Sequence, residues 1–226
     1  MGFYEGVSLL GEGIDVSVIK YIGTNSSHNS LFNRTYHYSP DRYLGIVVSD
    51  LTFDVNMYNL GRWIGAIWID DYFRELTMER VRFANSGGNI IRLMKNSVIA
   101  DCIWDNMDGR CLSTGWENKP ELRFRDNIIR DNIFIRTAVN PTGPGINLSR
   151  AEDNIVTGNQ VININPPGDT YGGIRVPNLS DHNLIEGNTV KNFFRGIWIL
   201  SGSQNNQVRE NTIIDSWSAA LFINSS

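Results

Sequence analysis

The residues of this chain best suited to chemistry are four aspartates, Asp70, Asp71, Asp105 and Asp108. Two carboxyl groups held roughly 5–9.5 Å apart across a glycosidic bond can hydrolyse it, one as acid and the other as base or nucleophile. Adjacent rungs of a parallel sheet stack side chains about 4.8 Å apart, and next-but-one rungs about twice that. Asp70 or Asp71 paired with Asp105 or Asp108 meets the requirement if they share a face. A lyase or an epimerase uses differently typed groups, a cation on the sugar carboxylate and a base at the neighbouring carbon. Arg92, Lys95, Arg110 and Arg175 are the cations on offer. An arginine, with a pKa above about 12, needs an unusual environment to serve as that base. Paired aspartates can also hold Ca²⁺, the one cofactor these residues suggest. Strand neighbours such as Asp70 and Asp71 point to opposite faces unless they sit in a turn.

Aromatic and cationic residues recur at outward positions. In strands that open with Gly-Ile or Ala-Ile, every second residue points out, which gives the series Trp68, Arg92, Asn147, Arg175, Trp198 and Phe222. Indole faces stack on sugar rings, and guanidinium forks pair with carboxylate or sulfate. Trp68, Arg92, Arg110, Arg175 and Trp198 are therefore the candidate substrate-binding residues, and a polysaccharide, in particular an acidic one, is the candidate partner. Each feature has a structural counterpart. The outward series could pack against sister chains in a homotrimer, Asp70-Asp71 could be a solvated corner, and Asp108-Gly109 is ordinary turn chemistry.

The elements that must position these groups are repeats. Asn154, Asn183 and Asn206 fall in one column and Asn159, Asn188 and Asn211 in another, with offsets of 29 and 23 residues in both. A short strand ends each repeat: Leu51-Thr-Phe53, Val81-Arg-Phe83, Cys102-Ile-Trp104, Asn132-Ile-Phe134, Asn159-Gln-Val161, Asn188-Thr-Val190 and Asn211-Thr-Ile213. Their starts differ by 30, 21, 30, 27, 29 and 23 residues, the period range of stacked solenoids. Val81 and Cys102 stand where later repeats have Asn, so the ladder is strict only from Asn132 onward. A second strand alternates, as in Gly173-Ile-Arg-Val176 and Gly196-Ile-Trp-Ile199, and a third precedes them, as in Asn154-Ile-Val. Three short strands per repeat, with glycine or asparagine at the corners, describe a three-sided parallel coil. Asparagine tolerates left-handed backbone angles, which suits it to such corners.

This pattern resembles the right-handed parallel β-helix of the pectin-lyase-like superfamily over nearly the whole chain. The resemblance implies an all-β, single-stranded, right-handed parallel β-helix and leaves activity open, because one fold hosts many functions. The segment Asn106-Met-Asp-Gly109 is similar to the Asn-Thr-Asp-Gly motif of polygalacturonases, whose Asp belongs to the catalytic carboxylates, and puts Asp108 forward for that role. The chain departs from that pattern downstream: Pro141 to Leu148 holds no Asp-Asp pair, and neither Gly-His-Gly nor Arg-Ile-Lys follows.

Composition narrows the rest. The 226 residues carry a formal charge of −4, which gives no broad basic surface for nucleic acid. No apolar run approaches the roughly 18 residues of a membrane helix. Met1 to Gly13 has neither the basic nor the apolar region of a signal peptide, and two cysteines, Cys102 and Cys111, are too few for a disulfide framework. Asn25, Asn33 and Asn147 head glycosylation-type triplets, which an Asn-rich chain produces by chance. The sequence predicts one β-helix domain over 1–226, with irregular first coils and a long polar loop over 1–43 and regular coils over 44–226. Neither end shows a capping helix, so a segment of a longer protein, or ends covered by a partner, is expected. Two functions follow. One is a polysaccharide lyase, hydrolase or epimerase whose site lies in the irregular coils from Ala66 to Arg110. The other is a non-catalytic shaft of a tail spike or cell-surface protein. Both predict an extracellular or virion-surface location.

Overall fold

The computed structural model describes residues 8–22, 30–33, 45–56, 65–114, 123–137, 143–165, 171–200 and 202–224, and for 30–33, 65–73 and 88–94 the backbone alone. Regular structure among them is entirely strand, and no helix is long and apolar enough to cross a membrane. The strands are β1 (Leu9–Leu10), β2 (Val18–Lys20), β3 (Ser30–Asn33), β4 (Val47–Asp54), β5 (Gly65–Arg74) and β6 (Thr77–Ala84). There follow β7 (Gly88–Lys95), β8 (Val98–Ala100), β9 (Ile103–Met107), β10 (Leu112–Ser113), β11 (Phe124–Arg125) and β12 (Ile128–Arg130). Then come β13 (Ile133–Arg136), β14 (Ile146–Asn147), β15 (Ala151–Glu152), β16 (Ile155–Thr157), β17 (Gln160–Asn163) and β18 (Gly172–Val176). The last are β19 (Leu184–Glu186), β20 (Thr189–Lys191), β21 (Arg195–Leu200), β22 (Gln207–Arg209), β23 (Thr212–Ile214) and β24 (Ala219–Asn224).

All pairings between these strands are parallel and join one coil to the next. Three faces result. The first runs β1, β4, β6, β8, β12, β16, β19, β22, and the second runs β2, β4, β6, β9, β13, β17, β20, β23. The long strands β4 and β6 bend across both. The third runs β3, β5, β7, β10, β14, β18, β21, β24, with β11 and β15 continuing the end of β7. The predicted three-sided coil is therefore the architecture, and β1 to β3 already obey its order, ahead of the predicted start of regular coils at residue 44.

Single left-handed residues make two of the corners. Between the first and second faces stand Asp50, Arg80, Asp101, Asp131, Gly158, Gly187 and Glu210, with φ between 51° and 66°. Between the third and first stand Gly45, Glu75, Asn96, Asp126, Asp153, His182 and Asn205, with φ between 50° and 67°. The ladder asparagines do not occupy these positions, contrary to the expectation from sequence. Each ladder residue follows the left-handed residue and turns its amide inward. Asn159 shows the device: its Nδ2 donates to the carbonyls of Ile129 (2.9 Å) and Thr157 (3.0 Å) and to Asn188 Oδ1 (2.9 Å), while its Oδ1 accepts from the N–H (3.0 Å) and Nδ2 (2.9 Å) of Asn132. A buried amide so placed satisfies the carbonyls that a sharp bend strips from the sheet, which explains how corners filled by Asp, Glu and Arg persist despite a backbone cost of about 1–3 kcal/mol each.

Three inward columns fill the coil. Val48, Met78, Ile99, Ile129, Val156, Ile185 and Val208 stack on the first face. Phe53, Phe83, Trp104, Phe134, Val161, Val190 and Ile213 stack on the second, the four rings at centroid spacings of 5.6, 4.9 and 4.4 Å. Leu112, Ile146, Ile174, Ile197 and Leu221 stack on the third. Each fully buried member contributes roughly 1.5–3 kcal/mol. Gly145, Gly173 and Gly196 form the bend into the third face. A Cβ there would lie 2.3, 2.2 and 2.5 Å from Val161, Val190 and Ile213, which is why that strand opens with glycine.

Candidate functional site on the third face

In register along the third face stand Asn33, Trp68, Ile90, Ser113, Asn147, Arg175, Trp198 and Phe222, a row that alternates with the inward column from Leu112 to Leu221. The sequence series names Trp68, Asn147, Arg175, Trp198 and Phe222 of this row, leaves out Asn33 and Ser113, and puts Arg92 in it. Ile90, not Arg92, stands between Trp68 and Ser113, where β5 and β7 have shifted register between Gly65 and Trp68. Arg92 lies two positions further along, where the bulge of β5 sets both Asp70 and Asp71 against it. The side chains of Trp68, Asp70, Asp71 and Arg92 lie outside the described residues.

The described part of the column is chemically distinctive at its C-terminal end. The Arg175 guanidinium lies 5.2 Å and the Arg195 guanidinium 4.1 Å from the centroid of the Trp198 ring. Arg195 also reaches Phe222 (4.2 Å) and Phe194 (5.0 Å). The ring is therefore engaged by two cations, so it orients guanidinium groups rather than offering a bare face to a sugar. Neither arginine makes an ion pair among the described residues, and Arg175 Nε, Arg195 Nε and Trp198 Nε1 are buried donors with no hydrogen-bond partner there. Arg110 reaches the same region from the turn before β10: its Cγ lies 2.3 Å from where a Cβ on Gly143 would stand. Burial pushes the pKa values of Arg110 and Arg175 down, Tyr171 opposes this at both, and the charge of Arg110 lowers that of Arg175 further. Sites of concentrated, underneutralised positive charge attract anions. Arg195 and Tyr171 escape the sequence pattern. The signal for Arg195 was its place directly before Gly196, where a strand that otherwise begins on glycine gains a charged first residue.

Of the four aspartates, only Asp105 and Asp108 have described side chains, and they lie at different places in the coil. Asp105 projects from the second face and is ion-paired with Arg82. Asp108 lies in the turn between β9 and β10, at the entry to the third face, with its N–H donating to Ser86 O (2.9 Å). Asp70 and Asp71 lie two and three residues after Trp68 in β5, whereas Asp108 comes five residues before Ser113, and register sets Trp68, Ile90 and Ser113 side by side; the Asp70 and Asp71 side chains are outside the described residues. The Asp108 carboxyl makes no hydrogen bond or ion pair among the described residues, and burial raises its pKa. Asn106 is held in a structural chain, with its Nδ2 donating to Asn85 Oδ1 (2.6 Å) and its Oδ1 accepting from Thr137 Oγ1 (2.6 Å), so the Asn of the polygalacturonase-like segment is a corner brace. No group of three or more His, Cys, Asp or Glu side chains able to hold a metal ion occurs among the described residues.

Other sequence features resolve simply. Cys102 and Cys111 are buried free thiols whose pKa burial pushes up to about 12. His182 is a left-handed corner residue, and Asn147 is only 3% exposed, which closes its glycosylation triplet in the folded chain.

Comparison with known proteins agrees with this geometry. No curated protein matches the chain. Among solved structures, the A-module of a mannuronan C-5 epimerase from Azotobacter vinelandii is similar over 100% of this chain and 85% of that one, at 12% identity and a TM-score of 0.36. The family model described as "right handed beta helix region" matches residues 47–213, the span in which the corner residues, the asparagine ladders and the three columns recur, and the chain belongs to the right-handed β-helix family.

Proposed function

We propose that this chain is a carbohydrate-active β-helix that holds an anionic polysaccharide lengthwise on its third face. The observation that carries this reading is the pair of guanidinium groups of Arg175 and Arg195, stacked on Trp198 without a carboxylate partner among the described residues. Stacking occupies the faces of a guanidinium and leaves its in-plane N–H donors for a carboxylate or sulfate. The chemistry that fits is proton abstraction beside a sugar carboxylate, as in a lyase or epimerase, more than hydrolysis. Hydrolysis needs two converging carboxyls, and Asp105 is bound to Arg82 while Asp70 and Asp71 come after Trp68 and Asp108 before Ser113 in the register row. Abstraction needs one base and a cation. Asp108, a stronger base for being buried, takes the proton, and Arg110 neutralises the carboxylate as charge develops.

Galacturonate and mannuronate polymers, with neutral glucans as controls, test this in one set of assays: binding by calorimetry, unsaturated product by absorbance, reducing ends, and deuterium uptake at C5 in heavy water. Polyuronates are expected to bind and glucans not. Arg175→Ala is expected to weaken binding about tenfold or more, since a charge-assisted bond contributes about 1.5–3 kcal/mol. Asp108→Asn should abolish exchange or elimination while binding persists. Equal affinity for glucans and polyuronates would sink the proposal.

A different observation favours a second, non-catalytic reading, a shaft in a tail spike or cell-surface protein. Val98, Ile128, Ile155 and Leu184 form an apolar stripe along the outside of the first face, with Ile128 36% and Ile155 39% exposed. Such a stripe suits packing against sister chains. Light scattering separates the two, because a stable homotrimer with no polyuronate affinity fits only the shaft. Either role sets the protein at the outer surface of a cell or virion.

A further inference from the structure

Two faces of the coil turn apolar side chains outward at the same level. On the first face Val98, Ile128, Ile155 and Leu184 stand in register on successive coils, with Ile128 and Ile155 exposed. On the second face Ile103 stands in register with Ile133, and Ile135 with Ile162. These four alternate with the inward residues Trp104, Phe134 and Val161 and are partly exposed. Val98 and Ile103 belong to one coil, Ile128 and Ile133 to the next, and Ile155 and Ile162 to the one after. Described coils lie on either side of both rows, so the exposure is not that of an open end. The charges around the rows are neutralised within the chain. Arg130 pairs with Asp131 (2.9 Å), Asp101 (3.6 Å) and Glu79 (4.0 Å), Arg209 with Glu186 (2.8 Å), and Arg82 with Asp105. A rim so balanced does not repel a copy of itself, as a rim of one sign would. The repeat narrows the occupant further. Side chains spaced about 4.8 Å apart along the coil axis interdigitate best with a surface of the same repeat, and the chain itself carries two.

We infer that the protein packs side by side with further copies of itself, coil axes parallel, the first face of one copy on the second face of the next. A copy rotated about an axis parallel to its own keeps every coil at its height. Ile128 of one copy therefore stands level with Ile133 of its neighbour. Contact between unlike faces is heterologous and closes into a ring larger than a dimer. Such a ring covers both apolar rows, which a pair joined through one face would not. It points the corner of Asp101 and Asp131 toward the ring axis and turns the third face, with Arg175, Arg195 and Trp198, outward. The inference takes over the first-face stripe of the sister-chain reading above, gives it a counterpart on the second face, and makes assembly compatible with holding a polysaccharide.

Light scattering and sedimentation velocity over a dilution series of the full chain test this. The wild type is expected to assemble beyond a dimer. Ile128→Glu and Ile133→Glu each set an unpaired charge in the contact and should raise the dissociation constant about a hundredfold or more, with circular dichroism unchanged because both side chains point outward. Ile128→Glu combined with Ile133→Lys in one chain sets opposite charges level across every contact and should restore assembly. A wild type that stays monomeric, or whose largest species is a dimer, overturns the ring. Undiminished assembly in a folded Ile128→Glu does so too. If Ile128→Glu breaks assembly but Ile133→Glu does not, or if the Glu/Lys chain stays apart, the pairing of unlike faces falls and the first-face stripe stands alone. Polyuronate affinity is expected to survive in all these variants. An assembling wild type without that affinity would sink the proposed function and leave the ring.

Discussion

Replacing Asn188 by leucine tests the corner ladder, because nearly every consequence can be traced to an atom. Asn188 is fully buried. Its Oδ1 accepts from Asn159 N (3.0 Å) and Asn159 Nδ2 (2.9 Å), and its Nδ2 donates to Val156 O (2.9 Å), Glu186 O (3.1 Å) and Asn211 Oδ1 (2.9 Å). Leucine has a similar volume and no polar atom, so packing changes little and the polar losses dominate. The backbone N–H of Asn159 loses its acceptor inside the coil, which costs about 1–3 kcal/mol. Asn159 Nδ2 keeps Ile129 O and Thr157 O, and Asn211 Oδ1 keeps the Asn188 N–H, so the remaining losses are ordinary bonds at about 0.5–1.5 kcal/mol each. The sum is about 3–9 kcal/mol, a large share of the 5–15 kcal/mol that holds a typical domain together. Urea unfolding followed by circular dichroism measures it, with Gln160→Leu, on the exposed side of the next strand position, as the control for added apolar surface. A loss at Asn188 no larger than that of the control, or below about 0.5 kcal/mol, would mean that the amides are not what fixes the corner.

The other expectations are smaller or opposite in sign. Cys102 stands in the column of Asn132 and already receives no more than the ladder's beginning: its N–H donates to Asn132 Oδ1 (2.9 Å), and its Sγ lies 3.2 Å from Ala100 O. Cys102→Asn should therefore be tolerated within about 1 kcal/mol, where Cys102→Leu costs about 1–3 kcal/mol by overpacking, as read from urea midpoints. Both thiols, with pKa values near 12, should resist a disulfide reagent at pH 8 until the chain is unfolded. Asp50 is held down to about 2 by Arg80, so the Asp50–Arg80 pair contributes above the ordinary carboxylate pKa and its contribution is lost as pH falls toward 2. The stability difference between wild type and Asp50→Asn should shrink to nothing over that window. Asp108 is shifted the other way: its burial penalty is absent below about pH 4 and is fully present above its raised pKa. Asp108→Asn should thus be more stable than wild type at neutral pH and equal to it in acid, while losing any turnover.

The ladders were legible in the sequence because they need one residue type at one spacing. Asn132, Asn159, Asn188 and Asn211 each do the same work, so the pattern survives coils of different length. The aromatic column from Phe53 to Phe134 was legible for the same reason, as every member answers to a single inward position. The corners were misassigned because a left-handed residue needs only a tolerable side chain, and Asp50, Arg80, Asp101, Asp131 and Glu210 share no chemistry a column would reveal. Arg92 was misplaced where β5 and β7 are out of step: their register shifts between Gly65 and Trp68, which sets Trp68 against Ile90, an extra residue shifts everything beyond it, and nothing in the residue types announces the insertion. The four aspartates were grouped on the rung spacing of adjacent coils, which holds only for residues that share a face. Residues separated by one full coil are neighbours, and residues a few positions apart can lie on different faces, as Asp105 and Asp108 do.

That geometry also explains why the underneutralised cations stand in the regular coils and not in the irregular ones. A ligand reaching across several coils needs its contacts held at a constant spacing, because an error in one rung displaces all those beyond it. The asparagine ladders fix that spacing from two corners, one of them at the exit of the third face and six or seven residues beyond Asn147, Arg175 and Trp198. Residues of that column can therefore change without disturbing register, provided the glycines behind them, Gly145, Gly173 and Gly196, keep the bend open against Val161, Val190 and Ile213. Gly173→Ala separates the two requirements. Its Cβ would meet Val190 Cγ1 at 2.2 Å and Gly196 O at 3.1 Å, so the bend must shift and carry Arg175, two residues on, away from its place one rung before Trp198. The variant should lose about 1–3 kcal/mol of stability from the added contact and, while still folded, lose polyuronate affinity as fully as Arg175→Ala. Retained affinity in a destabilised Gly173→Ala would show that the bend does not position the cations.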